Sequence, residues 1–255
     1  MNLQPPTLYQ PSLLKVCGLT KPDQIQELIS MNVDFLGFIF YEKSPRYVLN
    51  RLSTEEISAI DHQGKTGVFV NEKMDIILQM VQKAGLNFVQ LHGDESDDFI
   101  VELRQKLNPA VGIIKAIRIG NNAAENKMKI TQVFHFQRTT CNLQPVTYYL
   151  FDTDSKAFGG TGKQFDWNIL NELEIPLPYF LSGGISEDNI GNIEILKHQP
   201  FALDINSKFE TEPGHKNIDR IREFKSLYQQ NNNKKKHNDE YTFAKKDILQ
   251  NIISP

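Results

Sequence analysis

The sequence predicts an α/β fold of the (β/α)8 barrel type, the TIM barrel, formed as a single domain. Eight short segments rich in β-branched and aromatic residues alternate with helical segments along the 255-residue chain. Several of them are almost continuously apolar, as the strands of a buried parallel sheet are. The first predicted turn, Cys17-Gly18-Leu19-Thr20, lacks the G-x-G-x-x-G pattern of many open doubly wound sheets. Strand number and turn chemistry together favour the closed barrel.

The predicted strands are short and come at regular intervals along the chain. They cover residues 13–18, 35–40, 65–70, 88–92, 112–119, 147–152, 179–183 and 201–206.

Helical segments are predicted between these strands. The first begins around residues 21–28, where Pro22 suits the first helical turn. Residues 74–84 have helical spacing and end before Gly85, a frequent helix stop. Residues 218–227 place four apolar side chains near one face. Residues 121–146 begin polar and end in Thr-Thr-Cys-Asn, which predicts an irregular connection.

The domain boundaries follow from composition. Residues 1–12 are predicted to be an N-terminal extension and residues 13–228 the barrel. Residues 229–240 are polar and rich in asparagine and lysine, which indicates a linker. Residues 241–255 could form a short amphipathic helix, and a loosely docked tail is the simpler expectation.

The bulk composition excludes several classes of protein. With 28 Lys and Arg against 31 Asp and Glu, the net charge of −3 gives no field for nucleic acid or an anionic membrane. Two cysteines, Cys17 and Cys141, make no disulfide framework and no CxxC metal pattern. No segment resembles a signal peptide, and none approaches the ~18 apolar residues of a membrane helix. These features predict a cytoplasmic protein with neither a nucleic-acid nor a membrane partner.

Cys17 is the most informative single residue. It ends the first predicted strand, directly before a loop and a helix. In barrels the active site collects at the carboxyl ends of the strands, so a thiol at this position can act as a nucleophile or a base. The alternative is a small buried apolar residue, which is what most free cysteines are.

Glycine-rich turns after the late strands predict an anion site. Gly160 and Gly162 follow the sixth strand, and Gly183 and Gly184 end the seventh. Glycines let backbone N–H groups approach an anion closely, and barrels commonly bind phosphate after strands seven and eight. The eighth strand ends in three further polar candidates, Asp204, Asn206 and Ser207.

Three other polar residues are placed near the same end of the predicted barrel. Asp152 closes strand six, where a carboxyl group suits general acid catalysis, although a helix cap or lysine partner is the alternative. Asp154 is expected to lie in the loop. Arg46 follows strand two, and its planar guanidinium suits a carboxylate, while many loop arginines are only solvated. His92 ends strand four and could face the site or only hydrogen-bond within it.

Several segments, in this order, carry a resemblance to a known family. They are residues 15–20 (KVCGLT), 43–48 (KSPRYV), 67–71 (GVFVN), 89–93 (VQLHG), 159–167 (GGTGKQFDW), 181–185 (LSGGI) and 212–214 (EPG). From residue 13 to about 228 the chain resembles phosphoribosylanthranilate isomerase of tryptophan biosynthesis. One departure is Lys208, which stands where the family usually has glycine.

The resemblance implies a (β/α)8 barrel that catalyses the Amadori rearrangement of a phosphosugar, N-(5′-phosphoribosyl)anthranilate. It implies Cys17 as general base, Asp152 as general acid and Arg46 as the partner of the anthranilate carboxylate. It further implies that neither a metal nor an organic cofactor is needed. The sequence leaves both a monomer and a homodimer open. Two alternatives stay open: another phosphosugar barrel enzyme, and a non-catalytic barrel that serves as a binding module.

Overall fold

Eight parallel strands form a closed barrel in the computed structural model, which describes residues 13–140, 144–154 and 164–230. The strands are β1 Leu13–Cys17, β2 Phe35–Ile39, β3 Lys65–Phe69, β4 Phe88–Leu91, β5 Gly112–Ile119, β6 Tyr148–Thr153, β7 Tyr179–Leu181 and β8 Ala202–Ile205. Each strand pairs with the next, and β8 pairs with β1, where Lys15 stands opposite Asp204. The predicted fold and all eight strands are confirmed, with ends that differ by a few residues.

The helices outside the barrel are unequal in length. They are α1 Pro22–Ser30, α2 Thr54–Ser58, α3 Met74–Ala84, α4 Asp97–Lys106, α5 Ala123–Thr139 and α6, residues 218–230. Helix α3 ends at Gly85, whose positive φ of 60° is left-handed, as the sequence predicted. After β6 and β7 only 3-10 helices follow, Trp167–Glu172 and Ile190–Ile195. Pro176 and Gly191 in these short connections disfavour a longer α-helix.

The prediction of an irregular connection at residues 121–146 was wrong over most of that range. Helix α5 has 17 residues, and the Asn122 side chain caps it by accepting the N–H groups of Ala124 and Glu125. Its buried face is narrow and includes Asn126 and Gln137 beside the two apolar residues Ile130 and Phe134. A helix that buries so little apolar surface shows only a weak helical periodicity of apolar residues, so the sequence pattern did not predict it.

Alternation along the strands divides the core into two regions. One face of each strand packs against the helices, as Leu14 and Val16 of β1 do. The other face points into the barrel, where aromatic rings fill the amino-terminal end. Phe35 contacts Phe88 and Phe180 edge to face, with ring centroids 5.4 and 5.1 Å apart. Because that end is filled, polar interior side chains lie at the carboxyl end, which we call the mouth.

Short segments after β8 complete the mouth. A 3-10 turn, Ser207–Phe209, leads into a two-stranded antiparallel ribbon made of β9, Glu210–Glu212, and β10, His215–Lys216. Helix α6 follows and buries Ile221 and Phe224. The predicted extensions, residues 1–12 and most of 229–255, lie outside the described residues.

Candidate active site

The mouth collects the polar residues that end the strands. Cys17, Arg46, His92, Asp152 and Asp204 are all buried there. They come from β1, the connection after β2, the end of β4, β6 and β8, so residues far apart in the sequence share one site. The position of each follows from the rule that parallel strands in a barrel end on the same side.

Asp152 and His92 form a pair on one side of the mouth. The Nε2 atom of His92 lies 3.3 Å from Oδ2 of Asp152, but its alignment does not make a hydrogen bond. The Nδ1 atom of His92 lies 2.9 Å from Nε2 of Gln90. With that amide nitrogen donating, the proton of a neutral His92 is assigned to Nε2, on the side of Asp152. The other oxygen, Oδ1 of Asp152, accepts the Thr153 N–H at 2.8 Å.

Lys15 and Asp204 form a buried ion pair in the interior. The Lys15 ammonium nitrogen lies 3.0 Å from each Asp204 oxygen. Burial raises the pKa of Asp204, and the charge of Lys15 opposes this effect only in part. Burial opposes the charge on Lys15 as well, but attraction by Asp204 and the Cys17 thiolate outweighs it and raises the pKa of Lys15. Lys15 therefore holds its proton.

Arg46 is held by Glu210, the first residue of β9. Nε of Arg46 donates to both oxygens of Glu210, at 3.0 and 2.9 Å, and Nη2 donates at 2.6 Å. Glu210 also accepts from Lys216 at 2.7 Å and from the Gly214 N–H at 3.0 Å. Burial alone would raise the pKa of Glu210, but Arg46 and Lys216 together hold it below its usual value. Two cations thus share one carboxylate.

Asn206 contacts Lys216 of the ion-pair cluster formed by Arg46, Glu210 and Lys216, and it lies in the loop after β8, where the sequence predicts an anion site. Its Oδ1 accepts from Lys216 Nζ at 2.8 Å and lies beside Gly18. Ser207 follows as the first residue of the 3-10 turn, Ser207–Phe209. Lys208 is exposed, and its carbonyl oxygen accepts from Arg220 of α6.

The Cys17 thiol has a close neighbour in Gly37, which stands opposite it on the adjacent strand β2. A Cβ atom added to Gly37 would lie 2.9 Å from Cys17 Sγ and 2.9 Å from Cys17 Cα, so only glycine fits beside the thiol. Burial raises the pKa of Cys17, Lys15 and Lys216 lower it, and Asp204 raises it. The net direction is upward, so the thiol ionises less readily than a free cysteine.

The turn after β7 has a left-handed backbone conformation at its first glycine. Gly183 has a φ of +85°, and an added Cβ would lie 2.4 Å from Thr153 Oγ1. Asn189 fixes the turn, because its Oδ1 accepts the Ser186 N–H at 2.9 Å and its Nδ2 donates to the Gly184 carbonyl at 2.9 Å. The turn therefore has a set shape.

Arg220 links the two late loops to each other. It makes a two-pronged ion pair with Glu187 after β7, at 2.7 and 2.8 Å. It also donates to the carbonyl of Lys208 after β8. Gly160 and Gly162, predicted to join this site, lie outside the described residues. Asp154 is exposed beyond β6, as predicted for a loop residue.

Sequence reasoning missed three buried charged residues of the mouth: Lys15, Glu210 and Lys216. Lys15 had a visible signal, since it is the only charged residue in the strand Leu-Leu-Lys-Val-Cys and lies two positions before Cys17. Glu210 and Lys216 lie in a segment of mostly polar residues, so nothing in the sequence distinguishes these two buried side chains from exposed ones.

Two general features of the described residues bear on the kind of site. They contain no group of three or more His, Cys, Asp or Glu side chains placed to hold a metal ion. Among their helices, none combines the length and the apolar character needed to cross a membrane.

Sequence comparisons identify close relatives over most of the chain. A family model described as N-(5′-phosphoribosyl)anthranilate (PRA) isomerase matches residues 14–226. The N-(5′-phosphoribosyl)anthranilate isomerase of Parabacteroides distasonis is 36% identical over 216 residues, 83% of this chain and 91% of that protein. The protein of the same name from Nostoc punctiforme is 37% identical over 211 residues, 82% of this chain and 94% of its own.

Solved structures agree with the sequence relatives. Phosphoribosyl anthranilate isomerase from Thermotoga maritima matches with a TM-score of 0.70 at 28% identity, covering 86% of this chain and 100% of that chain. A second solved structure, a phosphoribosyl anthranilate isomerase in complex with reduced 1-(o-carboxyphenylamino)-1-deoxyribulose 5-phosphate, matches with a TM-score of 0.67 at 28% identity and the same coverage. The chain belongs to the N-(5′-phosphoribosyl)anthranilate isomerase family, and it is an isomerase of tryptophan biosynthesis.

Proposed function

We propose that this protein catalyses the Amadori rearrangement of N-(5′-phosphoribosyl)anthranilate, with Asp152 as general acid and Cys17 as general base. The observation that carries the proposal is the meeting of a buried thiol and a buried carboxyl group at one barrel mouth, beside two loops suited to phosphate. A related structure holds the reduced form of the expected product, which supports the same ligand class for this chain.

The rearrangement to the enolamine needs two proton transfers by the protein, a final tautomerisation moves the C2′ hydroxyl proton to C1′, and the oxidation state does not change overall. Asp152, protonated, gives its proton to the ribose ring oxygen while the C1′–O bond breaks, and the anthranilate nitrogen donates its electron pair to form an iminium. The Cys17 thiolate then takes the proton from C2′, and the electron pair of that bond forms the enolamine. The enolamine tautomerises to the ketose. A positioned acid or base of this kind typically contributes about 10²–10⁴-fold to the rate.

The remaining groups of the mouth have binding roles in this proposal. Arg46 binds the anthranilate carboxylate. Arg46 and Lys216 share the single carboxylate of Glu210, so this cluster has one more positive than negative charge and favours an anion. Gly183, Gly184, Asn206 and Ser207 receive the phosphate. His92 and Asp204 contact the sugar in this proposal, and Gly160 and Gly162, which lie outside the described residues, are assigned to the phosphate from the sequence alone.

The roles of Cys17 and Asp152 are tested by Cys17→Ala and Asp152→Asn. We expect each variant to lose at least about 10²-fold in turnover, because each removes one proton carrier. Turnover is followed by the loss of anthranilate-type fluorescence from phosphoribosylanthranilate.

Asp154→Asn is the matched control, because Asp154 is an exposed carboxylate two residues beyond Asp152. It should retain normal turnover. Near-normal turnover of Cys17→Ala or Asp152→Asn, with an unchanged thermal melt, would remove that residue from the mechanism.

A further inference from the structure

Lys15 is a cation placed where a barrel strand normally has an apolar residue. Its side chain is 0% exposed, and that of its partner Asp204 is 5% exposed. A fully buried ion pair costs desolvation of both charges, and apolar residues of similar volume often serve stability equally well. The pair is therefore poorly explained by stability, and a function in the neighbouring site becomes the better explanation.

The geometry of β1 places Lys15 next to Cys17. Side chains at spacing two lie on one face of a strand, about 6.6 Å apart along it. Leu13 packs against the apolar cluster inside the barrel, so residues 15 and 17 share that interior face. Asp204 stands opposite Lys15 on the neighbouring strand β8, and both of its carboxylate oxygens accept hydrogen bonds from the Lys15 ammonium group.

We propose that Lys15 is a positioning residue for the isomerase reaction: its ammonium group stabilises the thiolate of Cys17, while Asp204 holds and partly neutralises it. This inference rests on the proposed role of Cys17 as general base. It explains why a thiol in a buried site can reach the ionised form that takes a proton from carbon.

The electrostatic influences on Cys17 have the signs that this arrangement requires. Burial raises the pKa of the thiol, and the charge of Lys15 is the largest influence that lowers it. Asp204 raises the pKa of the thiol.

Other charged groups face this cluster from neighbouring elements. Lys216 of β10 lowers the pKa of the thiol, and Lys216 is itself paired with Glu210, which also holds Arg46. Asp152 and His92 act on Asp204 with opposite signs. Lys15 is the only one of these groups on the same strand as the thiol, which makes it the group to change.

The test compares Lys15→Met with Asp204→Asn in the full chain. Both variants break the same ion pair, so a purely structural role predicts similar effects. The electrostatic role predicts opposite ones, because Lys15→Met removes a positive charge beside the thiol and Asp204→Asn removes a negative charge. The readout is the titration of thiolate ultraviolet absorbance without substrate, in a Cys141→Ser background where Cys17 is the one remaining cysteine.

We expect the midpoint of the Cys17 titration to rise by at least about one pH unit in Lys15→Met, which is about tenfold less thiolate at a given pH. In Asp204→Asn the midpoint should fall, and in Lys15→Arg it should return toward that of the parent. The pH profile of kcat/KM should move in the same direction. A midpoint in Lys15→Met that does not rise, or one that rises in both single variants, would overturn the proposal.

Lys65→Met is the matched control. Lys65 is also a buried lysine on a strand, but it begins β3 and donates to the carbonyls of Ser58 and Ile60, at 3.1 and 3.0 Å. Its removal should leave the Cys17 titration unchanged. Cys17→Ala in the same background should remove the titration and so assign the signal.

Two further comparisons keep the result decisive. If Lys15→Met does not fold, Asp204→Asn and the double variant Lys15→Met/Asp204→Asn give the same comparison without an unpaired buried carboxylate. A shifted titration together with an active Cys17→Ala enzyme would refute the base role and leave this charge effect standing. An unshifted titration with an inactive Cys17→Ala enzyme would refute the charge effect alone.

Discussion

At the residue scale, buried ion pairs organise the mouth. Asp204 holds Lys15 beside the thiol, and Glu210 holds Arg46 and Lys216. Since each pair fixes a long side chain that would otherwise rotate freely, the guanidinium and the two ammonium groups are oriented before a substrate arrives. Glu210 is the carboxylate partner of both Arg46 and Lys216, so its protonation would leave two buried cations without a counter-charge.

Arg46→Ala should chiefly weaken substrate binding. The lost contact with a carboxylate is a charge-assisted hydrogen bond worth about 1.5–3 kcal/mol, so KM should rise by about 10- to 150-fold with a smaller change in kcat. Steady-state kinetics with the fluorescent substrate measures both constants. Arg51→Ala, which removes an exposed arginine from the same connection, is the control and should behave as the parent. An unchanged KM with collapsed turnover would show that Arg46 acts in the chemical step.

Glu210→Gln should change the dependence of stability on acid. Because the folded-state pKa of Glu210 lies below its unfolded value, ionised Glu210 stabilises the fold above the unfolded pKa, and this is lost as pH falls through the folded pKa. At pH 7 the variant should be about 3–5 kcal/mol less stable in urea unfolding, and the difference should shrink as the pH falls through the lowered pKa of Glu210.

Glu102→Gln supplies the control for that experiment. Glu102 pairs with Lys106 on the surface of α4, where both side chains are about half exposed. Its removal should change stability by less than about 1 kcal/mol at every pH. A gap between Glu210→Gln and the parent that stays constant with pH would contradict the assignment.

At the scale of elements, the loops after β7 and β8 act together. Asn189 fixes the first loop internally, and Arg220 of α6 ties it to the second. A binding site built on two loops depends on their relative position, so the side chains that link them matter as much as the glycines that line them.

Inorganic phosphate should inhibit competitively by occupying these loops, since their glycines admit an anion to the backbone. Asn189→Ala removes two hydrogen bonds within the loop and a third to Gln164. We expect the inhibition constant for phosphate to rise about fivefold, which corresponds to about 1 kcal/mol. Initial rates at several phosphate concentrations give this constant. Asn192→Ala, an exposed change nearby, should not alter it. Non-competitive inhibition, or equal constants in both variants, would argue for another phosphate site.

Elements were predictable from the sequence where burial is strong. The strands are buried on both faces, so their apolar runs appear directly in the sequence. Helix α5 was not predicted because its buried face is narrow and half polar, as Asn126 and Gln137 show.

The positions of the site residues were also predictable, because Cys17, His92, Asp152 and Asp204 lie at strand ends. Their ion-pair partners were not, because pairs such as Arg46 with Glu210, 164 residues apart, depend on how the barrel closes.

At the scale of the whole molecule, the last of the eight paired barrel strands ends at Ile205, 50 residues before the end of the sequence. The family match ends at residue 226, and Tyr228 of α6 is buried. Residues 229–240 contain no apolar side chain to bury. The boundary near residue 228 stays a prediction, which the following experiment tests.

Removal of residues 231–255 should therefore leave turnover unchanged and lower Tm by less than about 5 °C. Thermal melting, kinetics and sizing chromatography of the two lengths measure this. Truncation after residue 217 is the contrast: it removes α6 with buried Ile221, Phe224 and Tyr228, and it should abolish cooperative folding. A larger drop in Tm, or a changed elution volume, in the shorter deletion would show that the terminal residues are structural.

The pairing of β1 with β8 has a consequence for synthesis of the protein. Lys15 leaves the ribosome 189 residues ahead of Asp204, a delay of about 10–40 s at ordinary rates of translation. During that interval the barrel cannot close, and the lysine and thiol that will later lie in its interior face water or a chaperone. The nascent chain therefore has no active site until its eighth strand emerges, and a message that ends early yields no partial activity.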